Sequence, residues 1–320
     1  MPWRNILEID PGPTVPLRQR IDGLFAQQRA TWPALRDGEA ALAHLQRKTL
    51  STDISTVIVQ RNPARRGSTL AKTDAKAVAA RACFLCPDKM PAEERGVAFE
   101  DFVVLPNPFP ILPLHATIAS RDHQPQRIMG RVDAYLRLAR DLSPDLAALY
   151  NGPRCGASAP DHLHFQAAVA SEIPILAQFP PKQRRPHFAH TSRSRRMVVF
   201  AGADPARIQR DVDVTIAALA ELDPSDAEPM LNLIARFDGR QYLVVLFPRA
   251  AHRPVCYFQP EPDQILISPA ILEMCGIVVA TEEAHYSRVD DRVVEEIYEE
   301  VSLAGPQFER LIAALSIGPR

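Results

Sequence analysis

The sequence has no excess charge of either sign. Its 37 lysines and arginines nearly cancel its 38 aspartates and glutamates, leaving a formal net charge of -1. No global field therefore draws the chain onto nucleic acid or an anionic membrane, and an anionic ligand must be held by a local cluster. The sequence also lacks any apolar run near the ~20 residues that a membrane-crossing helix needs. The first residues, MPWRNILEID, contain no apolar stretch of the secretory kind, which gives the expectation of a cytoplasmic protein. Cysteine is sparse. The five residues Cys83, Cys86, Cys155, Cys256 and Cys275 are an odd number in a long chain and suit reduced thiols and a metal site better than a disulfide framework. No short-period repeat is visible. The arginine-rich stretch QRRPHFAHTSRSRR lacks the interleaved aromatic platforms of a single-strand nucleic-acid binder and reads as an exposed linker.

What is present is enough for an enzyme. At 320 residues and 46% hydrophobic content the chain can bury one large core or two ordinary ones. Proline is high, 30 residues, and its scatter through LPNPFPILPLH, QFPPKQRRPH and YFQPEPDQ suggests rigid loops and strand ends.

Apolar residues at helical spacing from Leu17 to Leu50 predict one or two amphipathic helices. STVIVQRN, from Ser55, predicts a strand that ends in the basic turn NPARRGS. DFVVLPNPFPILPLHATIAS predicts two strands, Phe102 to Leu105 and His115 to Ala119, with a proline-stiffened connection. PQRIMGRVDAYLRLARDLSPDLAALYN shows the helical period, and HLHFQAAVA follows as a strand. The segment from Ile173 to Arg196 is the best linker candidate. Beyond it the order recurs: strand MVVFAG, helix ARIQRDVDVTIAALAEL, strands MLNLIARF and QYLVVLFPRA, apolar CGIVVA, and a final helix VVEEIYEEVSLAGPQFERLIAAL. Without regular β-α-β alternation, the expectation is an α+β architecture of two related modules, residues 1–180 and 181–320. CGIVVA and the linker would serve a homodimer as readily as a core.

The stretch PDHLHFQ sets His162, His164 and Gln166 at alternate positions. On a strand these three share one face while Leu163 and Phe165 turn into the core. A lone histidine so placed most often faces water, but three convergent polar groups form the wall of a site. ACFLCPDK offers a second constellation. Two thiolates at the spacing of Cys83 and Cys86 reach one tetrahedral Zn2+ that two histidines complete, with His115, His123 and His162 available. A redox dithiol is an alternative, although that motif belongs in a β-α-β pattern that the sequence does not show. Two buried thiols with no further role is another. Directly before the histidines, YNGPRCGASAP brings Gly152, Gly156, Ala157, Ser158 and Ala159. Small residues let a backbone approach a ligand, and amides with a serine hydroxyl suit phosphate oxygens. A nucleophile and preorganised donors are what phosphoryl chemistry requires. Arg61, Arg65, Arg66 and Lys72 in one loop, and Arg249, His252 and Arg253 in another, offer further partners for phosphate. Solvated loop arginines are the plain alternative for any one of them.

GASAPDHLHFQ with the upstream C-x-x-C resembles the histidine triad superfamily in its H-x-H-x-Q transferase branch. That branch includes galactose-1-phosphate uridylyltransferases, diadenosine tetraphosphate phosphorylases and GDP-hexose phosphorylases. The resemblance covers Cys83 to about Ala170, with QYLVVLFPRAAHRP as an echo from a second, degenerate module. It implies a histidine-triad-like antiparallel sheet with flanking helices. It further implies that His164 is the nucleophile that carries a covalent nucleotide and that Gln166 contacts the phosphoryl oxygens. By the same resemblance Cys83, Cys86, His123 and His162 hold a structural Zn2+, with His123 preferred over His115. Asn151, Gly156 and Ser158 fall where the superfamily contacts phosphates, and Asn107 where it contacts the nucleoside. Arg65 and Arg253 are candidates to close the phosphate pocket. One departure stands out: uridylyltransferases place Ser-Asn-Pro directly before the first histidine, whereas here Asp161 intervenes.

The expected activity is a nucleotidyltransferase or phosphorylase. It would move a nucleoside monophosphate from a nucleoside diphosphate sugar or dinucleoside polyphosphate to phosphate or a sugar phosphate through a nucleotidyl-histidine. The competing expectation is a non-catalytic, zinc-stabilised nucleotide-binding module. Neither needs a nucleic-acid or membrane partner.

Overall fold

Period-two runs of Val, Leu, Ile and Phe pair into one antiparallel sheet that crosses the whole molecule. The computed structural model describes residues 3–53, 55–180, 187–191, 194–224 and 228–316. The strands are β1 (Gln46–Ser51), β2 (Thr56–Arg61), β3 (Val97–Phe99), β4 (Phe102–Pro106), β5 (Ala116–Ser120) and β6 (Leu146–Asn151). They continue with β7 (His164–Val169), β8 (His187–Thr191), β9 (Arg196–Gly202), β10 (Leu231–Phe237), β11 (Tyr242–Pro248) and β12 (Ile277–Ala280). The helices are α1 (Leu17–Thr31), α2 (Pro33–Leu42), α3 (Arg66–Thr69), α4 (Ala75–Ala79), α5 (Val132–Asp141) and α6 (Pro174–Ala177). After them come α7 (Pro205–Leu222), α8 (Ile271–Met274), α9 (Glu283–Arg288), α10 (Asp291–Val301) and α11 (Gly305–Ala314). The architecture is α+β, as expected.

Nine strands form the large sheet in the order β3-β4-β5-β7-β6-β10-β11-β9-β8, every neighbouring pair antiparallel. Its two halves follow one path. In the first, β4 and β5 lead through α5 to β6 and β7; in the second, β8 and β9 lead through α7 to β10 and β11. In space both halves read first, second, fourth, third, and they meet through their third strands, with Asn151 opposite Asn232 and Leu149 opposite Ile234. A small second sheet, β1-β2-β12, joins the chain's early and late segments, because β12 pairs in parallel with β2.

Alternation sorts side chains onto two faces. Phe102 and Val104, Phe165 and Ala167, and Leu146, Ala148 and Tyr150 pack on one face against α1, α5, α7 and α11. Ala147, Leu149 and Ala168 turn to the other, which is covered by α6, α8, α10, β2 and β12. Each large apolar side chain removed from water contributes about 1.5–3 kcal/mol, so the sheet is braced from both sides. No helix among the described residues is long and apolar enough to cross a membrane.

Four sequence expectations change. The apolar period from Leu17 to Leu50 covers α1 and α2, then ends in β1, whose residues alternate across an edge strand. The long helical run ends at Asp141, because Pro144 disfavours helix in the residue before it, and LAALYN becomes β6, buried throughout at the centre of the sheet. The final helix is broken in two, α11 restarting at Gly305 with Pro306 in its first turn. The expected linker is no linker in its described parts. Ile173, Ile175, Leu176, Phe179 and Phe188 are core residues. Arg195 is fully buried, donating to the Met274 carbonyl and Ser55 Oγ with its guanidinium 4.4 Å from the centre of the Tyr298 ring. The rest of the arginine-rich stretch, residues 183–186 and 192–193, lies outside the described residues. CGIVVA likewise serves the core, with Ile277, Val278 and Val279 buried.

Candidate active site

His164 opens β7, so the alternation that sends Phe165 inward sends His164 and Gln166 to the opposite face, where a cleft of about 700 Å3 opens. His162 lies in the turn just before the strand and is fully buried. Loops of both halves wall the cleft: residues 65–73, 105–109 and 156–158 from the first, 252–253 and 268–273 from the second. His164, Gln166, Asn107, Asn151, Gly156, Ser158, Arg65 and Arg253 all line it.

The His164 ring is fixed by a backbone carbonyl. Its Nδ1 lies 2.8 Å from the His162 oxygen, which can only accept, so Nδ1 carries the proton and Nε2 keeps its lone pair. No protein group among the described residues bonds Nε2. Burial drives the ring down to about 4, so it is neutral at physiological pH. The backbone is held as firmly. Gln126, itself buried, accepts from the His164 amide at 2.7 Å and donates to the carbonyls of His164 and Asn151 at 3.0 and 2.8 Å.

Three side-chain amides around this ring share one arrangement. The Oε1 of Gln166 lies 2.9 Å from His115 Nε2. His115 Nδ1 accepts the Ile111 N–H at 3.2 Å, so Nε2 is the protonated, donating nitrogen. The Oδ1 of Asn151 accepts from Asn232 Nδ2 at 2.8 Å and from the Ile271 amide at 2.7 Å. The Oδ1 of Asn107 accepts from the Phe109 amide at 2.9 Å. Each oxygen is thus held by protein donors, and no acceptor among the described residues takes the NH2 groups. These amides and the His164 ring line one cleft.

The basic residues divide. Arg65 gives one N–H to the Phe109 carbonyl at 2.9 Å. Burial first, and then the Arg65 charge, lowers His115 to about 4. Arg253 lines the cleft but is largely spent. Its Nε donates to Ser268 Oγ and its Nη2 to the carbonyls of Thr69 and Ala71, 2.9 to 3.0 Å away, so it ties the loop after β2 to the second half. Arg249, buried, bonds five oxygens of its surroundings and is structural. Arg61 and Arg66 pair with Glu283 and Glu282. Gly156 has φ +97 and lies against Ala270, whose Cβ would be 2.5 Å from an added methyl; only glycine lets the loop pass here.

Cys83, Cys86, His123 and His162 come together outside the cleft lining, one ligand atom from each lying within 4.8 Å of the others. His162 Nε2 donates to the Ser120 carbonyl at 2.8 Å, which turns the Nδ1 lone pair toward the thiols, 3.3 Å from Cys83 Sγ and 3.7 Å from Cys86 Sγ. His123 Nδ1 is 3.4 Å from Cys86 Sγ. The intervening Asp161 has a place in this frame. It accepts from Arg81 at 2.8 Å, and Arg81 also donates to the Ser158 carbonyl at 3.2 Å, so the small-residue loop is pinned to the cysteine segment. His115, the other histidine open as a ligand, lies instead under Gln166. A second cluster, Glu261, Glu282 and His285, is unsuited to a cation. His285 Nδ1 accepts the Leu266 N–H at 3.3 Å, so Nε2 holds the proton and donates toward Glu261 rather than ligating, and Glu282 is occupied by Arg66.

Sequence reasoning missed Gln126, the orienting role of His115, and the buried acids Glu94 and Glu273, which also line the cleft. No local pattern marks them; each is defined by partners distant in sequence.

Comparison with known proteins places these features in context. Residues 24–169, short of half the chain, match the family described as Domain of unknown function (DUF4922). No curated protein matched the sequence. Among solved structures, yeast Ap4A phosphorylase Apa2 matches with a TM-score of 0.58 at 14% identity, over 90% of this chain and 97% of that one. The same enzyme in complex with AMP matches with a TM-score of 0.54 at 14% identity, over 88% and 96%. Its complex with Ap4A gives 0.53 at 14% identity, over 85% and 97%. The protein therefore shares its fold, across nearly the whole length of both chains, with yeast Ap4A phosphorylase.

Proposed function

We propose that the protein is a nucleotidyltransferase or phosphorylase that passes a nucleoside monophosphate through His164. The observation that carries this reading is the tautomer of His164: a ring with Nδ1–H tied to a carbonyl and Nε2 unpartnered in a cleft lined by the NH2 groups of Gln166, Asn151 and Asn107. In the first step the Nε2 lone pair attacks the α-phosphorus of the donor. The bond from phosphorus to the bridging oxygen breaks, and its electron pair leaves with the departing phosphate. The imidazolium so formed keeps its Nδ1–H on the His162 carbonyl, which disperses its charge. In the second step an oxygen of phosphate or a sugar phosphate attacks the same phosphorus, and the N–P bond returns its electrons to Nε2. The amide donors and the Arg65 guanidinium stabilise the charge that develops on the phosphoryl oxygens.

Cys83, Cys86, His123 and His162 would hold a structural Zn2+. Bond lengths of about 2.3 Å to sulfur and 2.0 Å to nitrogen at tetrahedral angles separate sulfur from nitrogen by about 3.5 Å, and the three sulfur–nitrogen distances of 3.3, 3.4 and 3.7 Å suit such a site. The ion would brace the turn that carries His162 while leaving no position for a reactive water. In this reading residues 1–180 carry the chemistry and 181–320 form a second module that supplies loops to the cleft but no paired histidines.

The test is incubation with nucleoside diphosphate sugars and dinucleoside polyphosphates labelled at the α-phosphorus, followed by alkaline quenching and peptide mapping. Label on His164, released as nucleotide on adding phosphate, is the expected result. Turnover with His164 unlabelled would reject the reading.

A further inference from the structure

FPRAAHRP, at the end of β11, carries two arginines, and both act on the histidine between them. Arg249 Nη2 donates to the Ala251 and His252 carbonyls at 3.0 and 3.1 Å, which fixes the backbone there. Arg253 Nε donates to Ser268 Oγ at 3.0 Å, with its guanidinium 4.3 Å from the centre of the Tyr257 ring, and Ser268 Oγ lies 3.1 Å from His252 Nε2. The serine oxygen takes the arginine N–H, so its own proton goes to Nε2, the acceptor it meets among the described residues. His252 therefore carries its hydrogen on Nδ1. That nitrogen bonds no described protein group, yet it is not sealed from solvent. His252 lines the cleft together with Ser268 and Lys72. Lys72 is exposed and follows directly on the Thr69 and Ala71 carbonyls that Arg253 holds. Burial, and then the Arg253 and Arg249 charges, drive His252 down to about 3, so the ring is neutral and offers an N–H where its other nitrogen is already engaged.

A neutral imidazole locked between two guanidiniums is a fixed N–H donor in a positive field, the complement of an anion. The geometry of displacement at phosphorus says which anion. Entering and leaving atoms lie in line on opposite sides of the phosphorus. With His164 on one side, the group that departs in the first step and the group that attacks in the second pass through the same place. Building on the reading that His164 carries the nucleotide, we propose that His252 binds the phosphate of both groups through Nδ1–H, with Lys72 adding its charge. In the first step the departing phosphate keeps the electron pair of the broken P–O bond, and the N–H meets the charge that grows on it. In the second step one oxygen of the acceptor phosphate attacks while the N–H holds another. No proton leaves Nδ1 in either step. The second half, which has no paired histidines, thereby touches the substrate directly.

The test charges the full-length protein with labelled nucleotide and follows release of the label by inorganic phosphate and by glucose 1-phosphate, for wild type, H252N and H252Q, with thermal melting as the control for folding. An asparagine amide sets an N–H near the place of Nδ1, a glutamine amide near that of Nε2. For each acceptor that discharges wild type, H252Q is expected to raise the concentration giving half-maximal release by about tenfold to 100-fold and to slow charging, while H252N stays close to wild type. Unchanged acceptor use in H252Q, equal losses in both variants, or slowed release with unchanged charging each overturns the assignment to His252 and leaves the nucleotidyl-transfer reading standing. If a variant melts well below wild type, S268A takes its place. It frees the ring without removing it, so weaker acceptor use is expected, and use at the wild-type level overturns the assignment. A wild type that never takes up label sinks the transfer reading. His252 then stands or falls by the rise in melting temperature that inorganic phosphate gives, kept in H252N and lost in H252Q; no rise in wild type overturns both.

Discussion

His115 and Gln166, 51 residues apart in sequence, meet at 2.9 Å, and their bond decides which end of the glutamine amide faces the cleft. The direction is set one step further back, by the Ile111 N–H that occupies His115 Nδ1. Under the proposed reading, a histidine held neutral beneath an amide presents that amide's N–H groups to the phosphoryl oxygens. The same logic repeats at Asn107 and Asn151.

This relationship predicts graded losses. Gln166→Glu substitutes an acceptor and a charge for two donors, and should lower His164 labelling by about 100- to 1,000-fold. His115→Ala leaves Gln166 present but free to turn, and should cost about tenfold. Single-turnover labelling rates check both; His115→Ala matching the wild-type rate would show that the amide needs no orienting partner.

Gly156→Ala should be damaging although it adds only one methyl group. The backbone there is at φ +97, and the new carbon would sit 2.5 Å from Ala270 Cβ and 3.0 Å from its Cα. A cost of about 1–3 kcal/mol in denaturant unfolding is expected, with slower labelling because the loop bearing Ser158 must shift. Unchanged stability would mean that the loop has room the structure does not show.

Zinc analysis of the purified protein should find one ion per chain, lost in Cys86→Ser. Because Cys83 and Leu85 pack in a small cluster with Val103, Leu105 and Ala119, stripping the ion with a chelator should lower the melting temperature by several degrees. A metal-free protein with unchanged melting would remove the structural ion from the account.

Glu228 supplies a pH signature of stability. Its carboxyl is buried, accepts from Tyr150 Oη and the amides of Ile128 and Met129, and is raised by burial from 4.5 to about 7. The folded state thus binds this proton more tightly than the unfolded one. The stabilisation it brings is full below about pH 4.5 and is lost as pH rises toward 7, a change of up to about 3 kcal/mol. Glu228→Gln should flatten this part of the stability profile. If wild type and variant show the same slope between pH 4.5 and 7, the carboxyl titrates elsewhere.

The alternation was legible from His164 onward, because a strand's period of two puts His164 and Gln166 on one face; His162, expected on the same face, precedes the strand and turns to Cys83 and Cys86 instead. The meeting of Cys83 and Cys86 with His123 and His162 was expected from sequence, and the structure brings one ligand atom of each within 4.8 Å of the others. What sequence could not show was which donors and acceptors are already used. Arg253 and Arg65 look alike in sequence, yet one is consumed by Ser268 and two loop carbonyls and the other gives the cleft wall a single bond, to the Phe109 carbonyl. The buried segment Ile173–Phe179 was misread for a related reason. Proline and arginine nearby gave it the composition of a linker, while its apolar residues met partners from β2 and α8 that lie far along the chain.

The seam where β6 meets β10 gives the second half a purpose beyond decoration. A chain cut after residue 180 would leave β6 with a bare row of amides and carbonyls along an apolar strand, the kind of edge through which proteins aggregate. The half without the paired histidines is then a lifelong cap on the half that has them.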